Sequence, residues 1–291
     1  MGFIFDELSG TIVSGFELKA LRKKCIQLFS KLDERKLLTN FNKIELSNID
    51  LKYKGSNFNI KVDNMIIKNK VKISITGKSG QGKTSIINLI LGNITTYKGQ
   101  AKIDENNMRE YRLDIGVVSQ EIELFNMTIK ENLCLDKNIP DGKIINYLKE
   151  LELDEILMFE DGIYTIVGEK GLKLSTGQKR RINILRSYLM EKDVYILDEP
   201  TTGLHIADVH KLLEVLQRLV GAGDSVVVIE HNLDVIKTAD YIIDLGPEGG
   251  DKGGTLLACG TPEEVAKNKK SYTGQYIKQA LAQAKKHGWY Q

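Results

Sequence analysis

The residues from Gly77 to Thr84, GKSGQGKT, combine glycines, a lysine and a hydroxyl at the spacing of a phosphate-binding loop. In such a loop, glycines let successive backbone N–H groups turn towards phosphate oxygens, and the following helix adds partial positive charge. Lys83 is expected to neutralise the β- and γ-phosphates, and the Thr84 hydroxyl to ligate Mg²⁺. The sequence therefore predicts a nucleotide site at Gly77, Ser79, Gly80, Gly82, Lys83 and Thr84. A plain glycine turn is the alternative.

A second group with chemical potential is the carboxylate pair in VYILDEP, where Asp198 and Glu199 follow four apolar residues. Asp198 is placed to hold Mg²⁺, usually through water, and Glu199 to polarise an attacking water. An ordinary strand end with a helix-capping carboxylate is the alternative for Asp198 alone. The upstream phosphate-binding loop favours the pair as catalytic machinery.

These groups need a sheet and helices to position them, and the apolar pattern predicts both. Residues 44–76 alternate in the manner of strands, and a helix ending at Gly92 follows the glycine loop. Two short strands are predicted within 100–120, and a charged helical region from about 128 to 162. Strands and helices alternate from residue 178 onward. This pattern indicates an α/β fold with a largely parallel sheet.

Composition excludes several classes of protein. The 291 residues carry 41 Lys plus Arg against 39 Asp plus Glu, which is not the basic balance of a dedicated nucleic-acid binder. No apolar run approaches the roughly 18 residues of a membrane span. Asp6 and Glu7 argue against a secretory signal. Cys25, Cys134 and Cys259 lack CxxC pairing, so no zinc site is expected. Their scattered positions lead us to expect that the protein resides in a reducing cytoplasm.

With the segment LSTGQ, Leu174 to Gln178, the chain resembles the ATP-binding-cassette (ABC) ATPases. The segment is similar to the family signature LSGGQ, with Thr176 in place of the first glycine. The resemblance implies that Ser175, Gly177 and Gln178 contact the γ-phosphate of an ATP bound mainly by another subunit. Thr176 adds a side chain near that phosphate and bears on catalytic rate.

Three further residues match positions of the family, and each also has a structural interpretation. Tyr53 in LKYKGS matches the aromatic residue that stacks on adenine, although it could be a surface tyrosine of a strand. Gln120 in VVSQE matches the glutamine that senses Mg²⁺ and the γ-phosphate. His231 in VVVIEHN matches the switch histidine that helps to order the water. His205 stands where cassettes commonly carry Asp, and it is expected at the surface.

The resemblance implies a RecA-like P-loop NTPase core with an antiparallel β layer and an inserted α-helical subdomain at about 125–185. The expected domains are an N-terminal helical extension over 1–38, a cassette over 39–265 and a C-terminal helical tail over 266–291. Two cassettes would pair head to tail, as a homodimer or with a second cassette in trans, so that each ATP and its Mg²⁺ lie between one phosphate-binding loop and the partner's signature.

Two subfamilies contribute to the resemblance. Residues 1–200, with ELFNMTIKENL and GEKG, resemble an ABC exporter domain, whereas residues from about 198 resemble the C-terminal part of the UvrA excision-repair ATPases. The exporter interpretation implies membrane-spanning partner domains and a cytoplasmic position at the inner face of the membrane, with nucleic acid an unlikely partner. The alternatives are a UvrA-like repair ATPase, or an engineered or orphan chimeric cassette that acts as a nucleotide-gated clamp.

Overall fold

The protein is described by a computed structural model over residues 34–53, 59–135, 137–246 and 254–286. This part of the chain contains both strands and helices, which confirms the predicted α/β class. The strands are β1 (Lys36–Leu38), β2 (Lys43–Lys52), β3 (Asn59–Lys68), β4 (Lys72–Thr76), β5 (Lys98–Ile103), β6 (Asn106–Asn107), β7 (Tyr111–Leu113), β8 (Ile115–Val118), β9 (Val194–Asp198), β10 (Ser225–Ile229), β11 (Tyr241–Gly246) and β12 (Gly254–Gly260).

Ten of these strands form one mixed sheet in the order β6-β5-β2-β3-β12-β11-β4-β10-β9-β8. Strands β11, β4, β10, β9 and β8 run parallel to one another. Strands β6, β5, β2 and β3 pair antiparallel, and they form the predicted antiparallel layer. All residues of β4 and β10 are buried, as expected for central strands of a parallel sheet that is covered on both faces.

The helices follow the strands as the sequence predicted. They are α1 (Lys83–Leu91), α2 (Ile129–Cys134), α3 (Asp141–Glu150), α4 (Thr176–Tyr188), α5 (Ile206–Gly221), α6 (Leu233–Ile236), α7 (Pro262–Val265) and α8 (Tyr272–Lys286). The glycine at the end of α1, Gly92, adopts the left-handed conformation of a helix C-cap, which confirms the predicted end of that helix.

Between β8 and β9 the chain forms α2, α3 and α4 together with three 3₁₀ turns (Asp154–Met158, Gly162–Tyr164 and Glu169–Gly171). This is the predicted helical insertion, and its apolar residues share one core with β9 and α5. The charged helix expected up to residue 162 is shorter than predicted. Helix α3 ends at Glu150, and Glu152 follows with a φ of +53°, which a continuous helix cannot accommodate.

The predicted N-terminal helix over 1–38 differs from the structure where the two can be compared. Lys36–Leu38 form strand β1, which pairs in parallel with Tyr111–Leu113. This pairing joins residues far apart in sequence, so the local periodicity gave no sign of it. Residues 1–33 of the predicted helix lie outside the described residues.

The C-terminal helix α8 packs on the preceding elements through Ile277, which joins a small core with Val265, Ile236 and Ile242. Helix α1 packs in a separate core, where Ile86 and Leu89 meet apolar residues of β2, β3 and β4. None of the helices in the described ranges is long and apolar enough to cross a membrane.

Candidate functional site

The loop between β4 and α1 has the backbone shape that a phosphate-binding loop requires. Gly77, Gly80 and Gly82 have φ angles of +140°, +77° and +94°, which L side chains rarely adopt. A Cβ on Gly77 would also lie 2.6 Å from the carbonyl oxygen of Leu245. Helix α1 then begins at Lys83 with no side-chain cap and no acidic residue in its first turn. Its first backbone N–H groups are therefore available to an anion.

Lys83 is folded back into this loop. Its side chain is only 6% exposed, and its Nζ donates to the carbonyl oxygens of Gly77 and Lys78 at 2.7 and 3.1 Å. Burial lowers its pKa, while the carboxylates of Glu199 and Asp198 oppose that shift. The ammonium thus occupies the concave side of the glycine loop, close to two carboxylates.

Glu199 lies at the centre of a cluster of polar side chains. Its Oε2 accepts hydrogen bonds from Gln120 Nε2 at 3.1 Å and from the Thr202 hydroxyl at 3.3 Å, and its Oε1 lies 3.4 Å from His231 Nε2. The same His231 nitrogen is 3.1 Å from Lys83 Nζ. The structure therefore brings together four residues that the sequence singled out, from four separate segments of the chain.

The backbone at Glu199 is itself unusual. Its φ is +43°, which a non-glycine residue adopts at an energetic cost of order 1–3 kcal/mol. Its N–H donates to the carbonyl oxygen of Ile229 at 3.0 Å, and this bond ties it to the end of the neighbouring strand β10. The strand order therefore sets the position of this carboxylate.

Asp198 ends strand β9, and burial, together with the charge of Glu199, raises the pKa of its carboxyl group, while Lys83 opposes the shift. Thr84 is exposed in the first turn of α1. A carboxylate and a hydroxyl are oxygen ligands of the kind that Mg²⁺ prefers. Within the described residues, no group of three or more His, Cys, Asp or Glu could hold a metal. A magnesium ion bound here would depend on phosphate oxygens for its remaining ligands.

The residues of the predicted signature have a different arrangement. Ser175 caps α4: its Oγ accepts from the backbone N–H of Gln178, whose side-chain oxygen accepts from the N–H of Ser175. Gln178 Nε2 also donates to Glu155 at 2.9 Å. A Cβ on Gly177 would lie 2.5 Å from Asp208 Oδ1, so any side chain there would have to displace the Asp208 carboxylate. Ser175 and Thr176 are exposed, so this helix end faces solvent.

The remaining predicted residues lie at the edges of the site. The hydroxyl of Tyr53 donates to Ser85 Oγ at 2.8 Å, and its side chain is 39% exposed. The tyrosine is thereby fixed beside the first turn of α1. His205 is at the surface, as expected, where its Nδ1 caps helix α5 by accepting from the N–H of Ala207.

Sequence reasoning missed three residues that support the cluster. Glu230 and Arg180 are each only 2% exposed, and both bind backbone groups of the site. Thr202 donates to Glu199. A charge directly after the four apolar residues Val226–Ile229 of β10 could have indicated Glu230. Arg180 lies in the run KRR, which has the appearance of a solvated helix face.

Comparison with known proteins places this geometry in context. Residues 60–202 match the family model for "ABC transporter". UvrABC system protein A from Clostridium perfringens is 51% identical over 163 residues, which cover 55% of this chain and 16% of that protein. The protein of the same name from Staphylococcus epidermidis is 50% identical over equal shares. The chain thus spans less than a fifth of the length of these relatives.

Among solved structures, a bacterial Atm1-family ABC exporter with ATP bound matches with a TM-score of 0.71 and 22% identity, over 85% of this chain and 44% of that chain. At this identity the match shows the fold. The 163 residues aligned with UvrABC system protein A exceed the stretch from 198 to the C-terminus. The likeness to UvrA therefore continues into the part of the chain before residue 198.

Proposed function

We propose, from the ABC ATPase domain that this chain carries, that two copies pack head to tail and hydrolyse MgATP at two shared sites. The observation that carries the proposal is the placement of Glu199 among Gln120, Thr202 and His231, next to the buried Lys83. A carboxylate held in this way can orient a water and accept its proton.

The residues present fit ATP and Mg²⁺. The uncapped N–H groups of α1 and the Lys83 ammonium would form a cationic cradle for the β- and γ-phosphates, and Tyr53, held beside the first turn of α1, would stack on adenine. Asp198, Thr84 and Gln120 would hold Mg²⁺, which when bound neutralises charge on the phosphates. Since the Lys83 ammonium can only donate, His231 Nε2 accepts from it in the present arrangement. Phosphates that engage Lys83 would free His231 to contact the γ-phosphate.

Hydrolysis is tested by comparing ATP turnover of the wild type with that of Glu199→Gln. The amide keeps the size of the side chain but cannot accept a proton, so turnover should fall about 100-fold or more. Wild-type turnover no faster than that of the variant would leave only the alternative of a nucleotide-gated clamp.

The shared site is tested by mixing two inactive variants, Lys83→Ala and Ser175→Arg. In a head-to-tail dimer, a mixed pair holds one intact site, built from the loop of one chain and the signature of the other. Because each mixed dimer holds one intact site of two, turnover should recover to between about a quarter and a half of the wild-type rate, with the higher value if Lys83→Ala chains pair only with the other variant. No recovery, with mixed dimers present, would contradict the shared site.

For the partner that this cassette drives, we propose membrane-spanning domains of exporter type, with the cassette held at the inner face of the membrane in the cytoplasm. The helical insertion supports this proposal because it exposes several large apolar side chains within a short stretch, namely Met158, Tyr164, Ile166 and Leu172. Protein–protein contacts commonly cover such surfaces.

A second candidate is a role in DNA repair, which is favoured by the 50–51% identity to UvrABC system protein A. The two roles predict different partners in binding experiments, and DNA binding is recognised by its dependence on salt. A repair ATPase should retain DNA in a pull-down at low salt and lose it steeply at high salt. An exporter cassette should co-purify with coexpressed membrane-spanning domains, and Met158→Ser with Leu172→Ser should abolish that. Steep, salt-sensitive DNA binding without co-purification would overturn the exporter proposal.

A further inference from the structure

Two buried charged residues behind the catalytic cluster bind its backbone rather than its side chains. We propose that Arg180 and Glu230 are positioning residues for hydrolysis, which hold Gln120 and His231 in register with the carboxylate of Glu199. The inference rests on the proposed ATPase function and assigns to this pair a role in catalytic rate rather than in nucleotide binding.

Arg180 connects the signature helix to the strand end that bears Gln120. It lies in the second turn of α4, is 2% exposed, and its Nη1 donates to the carbonyl oxygens of Ser119 and Gln120 at 3.1 and 2.9 Å. These two bonds fix the backbone from which the Gln120 side chain reaches Glu199. A shift of α4 would therefore be transmitted to Gln120.

Glu230 likewise holds backbone at the site, in the segments that follow Glu199 and Ile229. Its Oε2 accepts from the backbone N–H groups of His231 and Asn232, each at 3.0 Å, and its Oε1 accepts from the N–H of Thr201 at 2.8 Å. One carboxylate thus fixes the segment that carries His231 and the segment that follows Glu199. Both segments supply side chains that contact the Glu199 carboxylate.

The two charges also interact with each other. Burial lowers the pKa of the Arg180 guanidinium, and the negative charge of Glu230 opposes that shift. Burying two charges is costly, and well-packed apolar residues often stabilise a protein equally well. Every hydrogen bond of the pair described above goes to backbone at the site. The pair therefore positions the backbone of the site. A displacement of about 1 Å at a catalytic group can lower the rate on the order of 100-fold.

The Glu230→Gln substitution tests this role sharply because of how the two oxygens are used. An amide has one acceptor oxygen, and its NH₂ group can only donate. Glutamine must therefore give up either the bond to Thr201 or the bonds to His231 and Asn232. We expect kcat to fall about 10-fold or more, with the KM for ATP changed less than threefold, because no hydrogen bond of Glu230 reaches the Gly77–Thr84 loop.

Two substitutions at Arg180 should lower the rate to different extents. Lysine can still donate to both carbonyl oxygens, so Arg180→Lys should recover much of the rate that Arg180→Met loses. The matched control is Arg186→Gln on the same helix, which removes an arginine bond to a loop carbonyl, that of Glu123 at 2.6 Å. It should leave kcat within about twofold of the wild type.

Amide hydrogen exchange of the nucleotide-free protein supplies a readout that does not depend on turnover. Glu230→Gln should speed exchange by about 10-fold or more either at residue 201 or at residues 231–232, whichever set the amide group faces, while β4 and α1 stay protected. Faster exchange throughout the chain, or equal losses in kcat and ATP affinity, would mean a merely structural role and overturn the proposal. A kcat within twofold of the wild type would also overturn it. If the wild type hydrolyses no ATP, the proposed function fails, and the exchange measurement still decides on positioning.

Discussion

Two glycine-bearing loops, those before α1 and α4, each lead into a helix, but the first-turn N–H groups of the two helices are treated in opposite ways. Helix α1 begins at Lys83 with no side-chain cap, whereas α4 begins behind a reciprocal cap between Ser175 and Gln178. The first end faces a buried lysine of its own chain, and the second is exposed to solvent. One end presents N–H groups without a side-chain partner beside an ammonium, and the other end has its N–H groups satisfied by its own side chains.

The largest effect should come from the uncapped end. Lys83→Ala removes the ammonium that lies inside the loop, so ATP binding should weaken about 100-fold and ATP-dependent dimerisation should be lost. Light scattering after size exclusion, with and without ATP, measures the dimer. A dimer that still forms with ATP in this variant would refute the shared-phosphate model.

A substitution at the capped end should change the stability of the protein before it changes ATP binding. Ser175→Ala removes the side-chain acceptor from the N-terminus of α4, so the free energy of unfolding should fall by about 1 kcal/mol. ATP binding to the monomer should not change, because the phosphates of a monomer lie on the other helix. Urea unfolding and binding titrations measure the two quantities.

The matched variant, Ser175→Asp, restores the cap but places a negative charge where the partner's γ-phosphate would lie. It should unfold like the wild type and lose turnover. Normal turnover in Ser175→Asp would contradict a role for this helix end in the shared site.

The smallest effect concerns the shape of the capped end. A methyl group on Gly177 would lie 2.5 Å from Asp208 Oδ1, so Gly177→Ala should push that carboxylate away from Arg181 and lower the free energy of unfolding by about 0.5 kcal/mol. Gly221→Ala, at a glycine with nothing within 4 Å of the added Cβ, is the control, and it should stabilise the protein by about 0.5 kcal/mol. Thermal unfolding separates the two, and equal shifts would contradict the close contact with Asp208.

The sequence predicted the elements whose signals are local. The glycine spacing of Gly77–Thr84, the apolar strand before Asp198 and the helix stop at Gly92 all follow from residue type and spacing, and the structure has the corresponding elements where expected. The fold class followed from the alternation of strands and helices.

The features that sequence reasoning missed depend on contacts between distant segments. Strand β1 exists only through its pairing with β7. Glu230 binds Thr201 on one side and His231 on the other, and Arg180 reaches a carbonyl 60 residues away. Charged residues are mostly exposed, so no periodicity marks the few that are buried to hold a loop in place.

His231 lies within 3.1 Å of Lys83 and 3.4 Å of Glu199, and it is one of only four histidines in the chain. Its imidazole is therefore a spectroscopic reporter that the protein already contains. In a sample with isotope-labelled histidine, its ring resonances should shift when the lysine turns towards a ligand. The other three signals, which include those of the surface residues His205 and His210, provide an internal reference. The progress of a single turnover could be followed at this one ring, without any added label on the nucleotide.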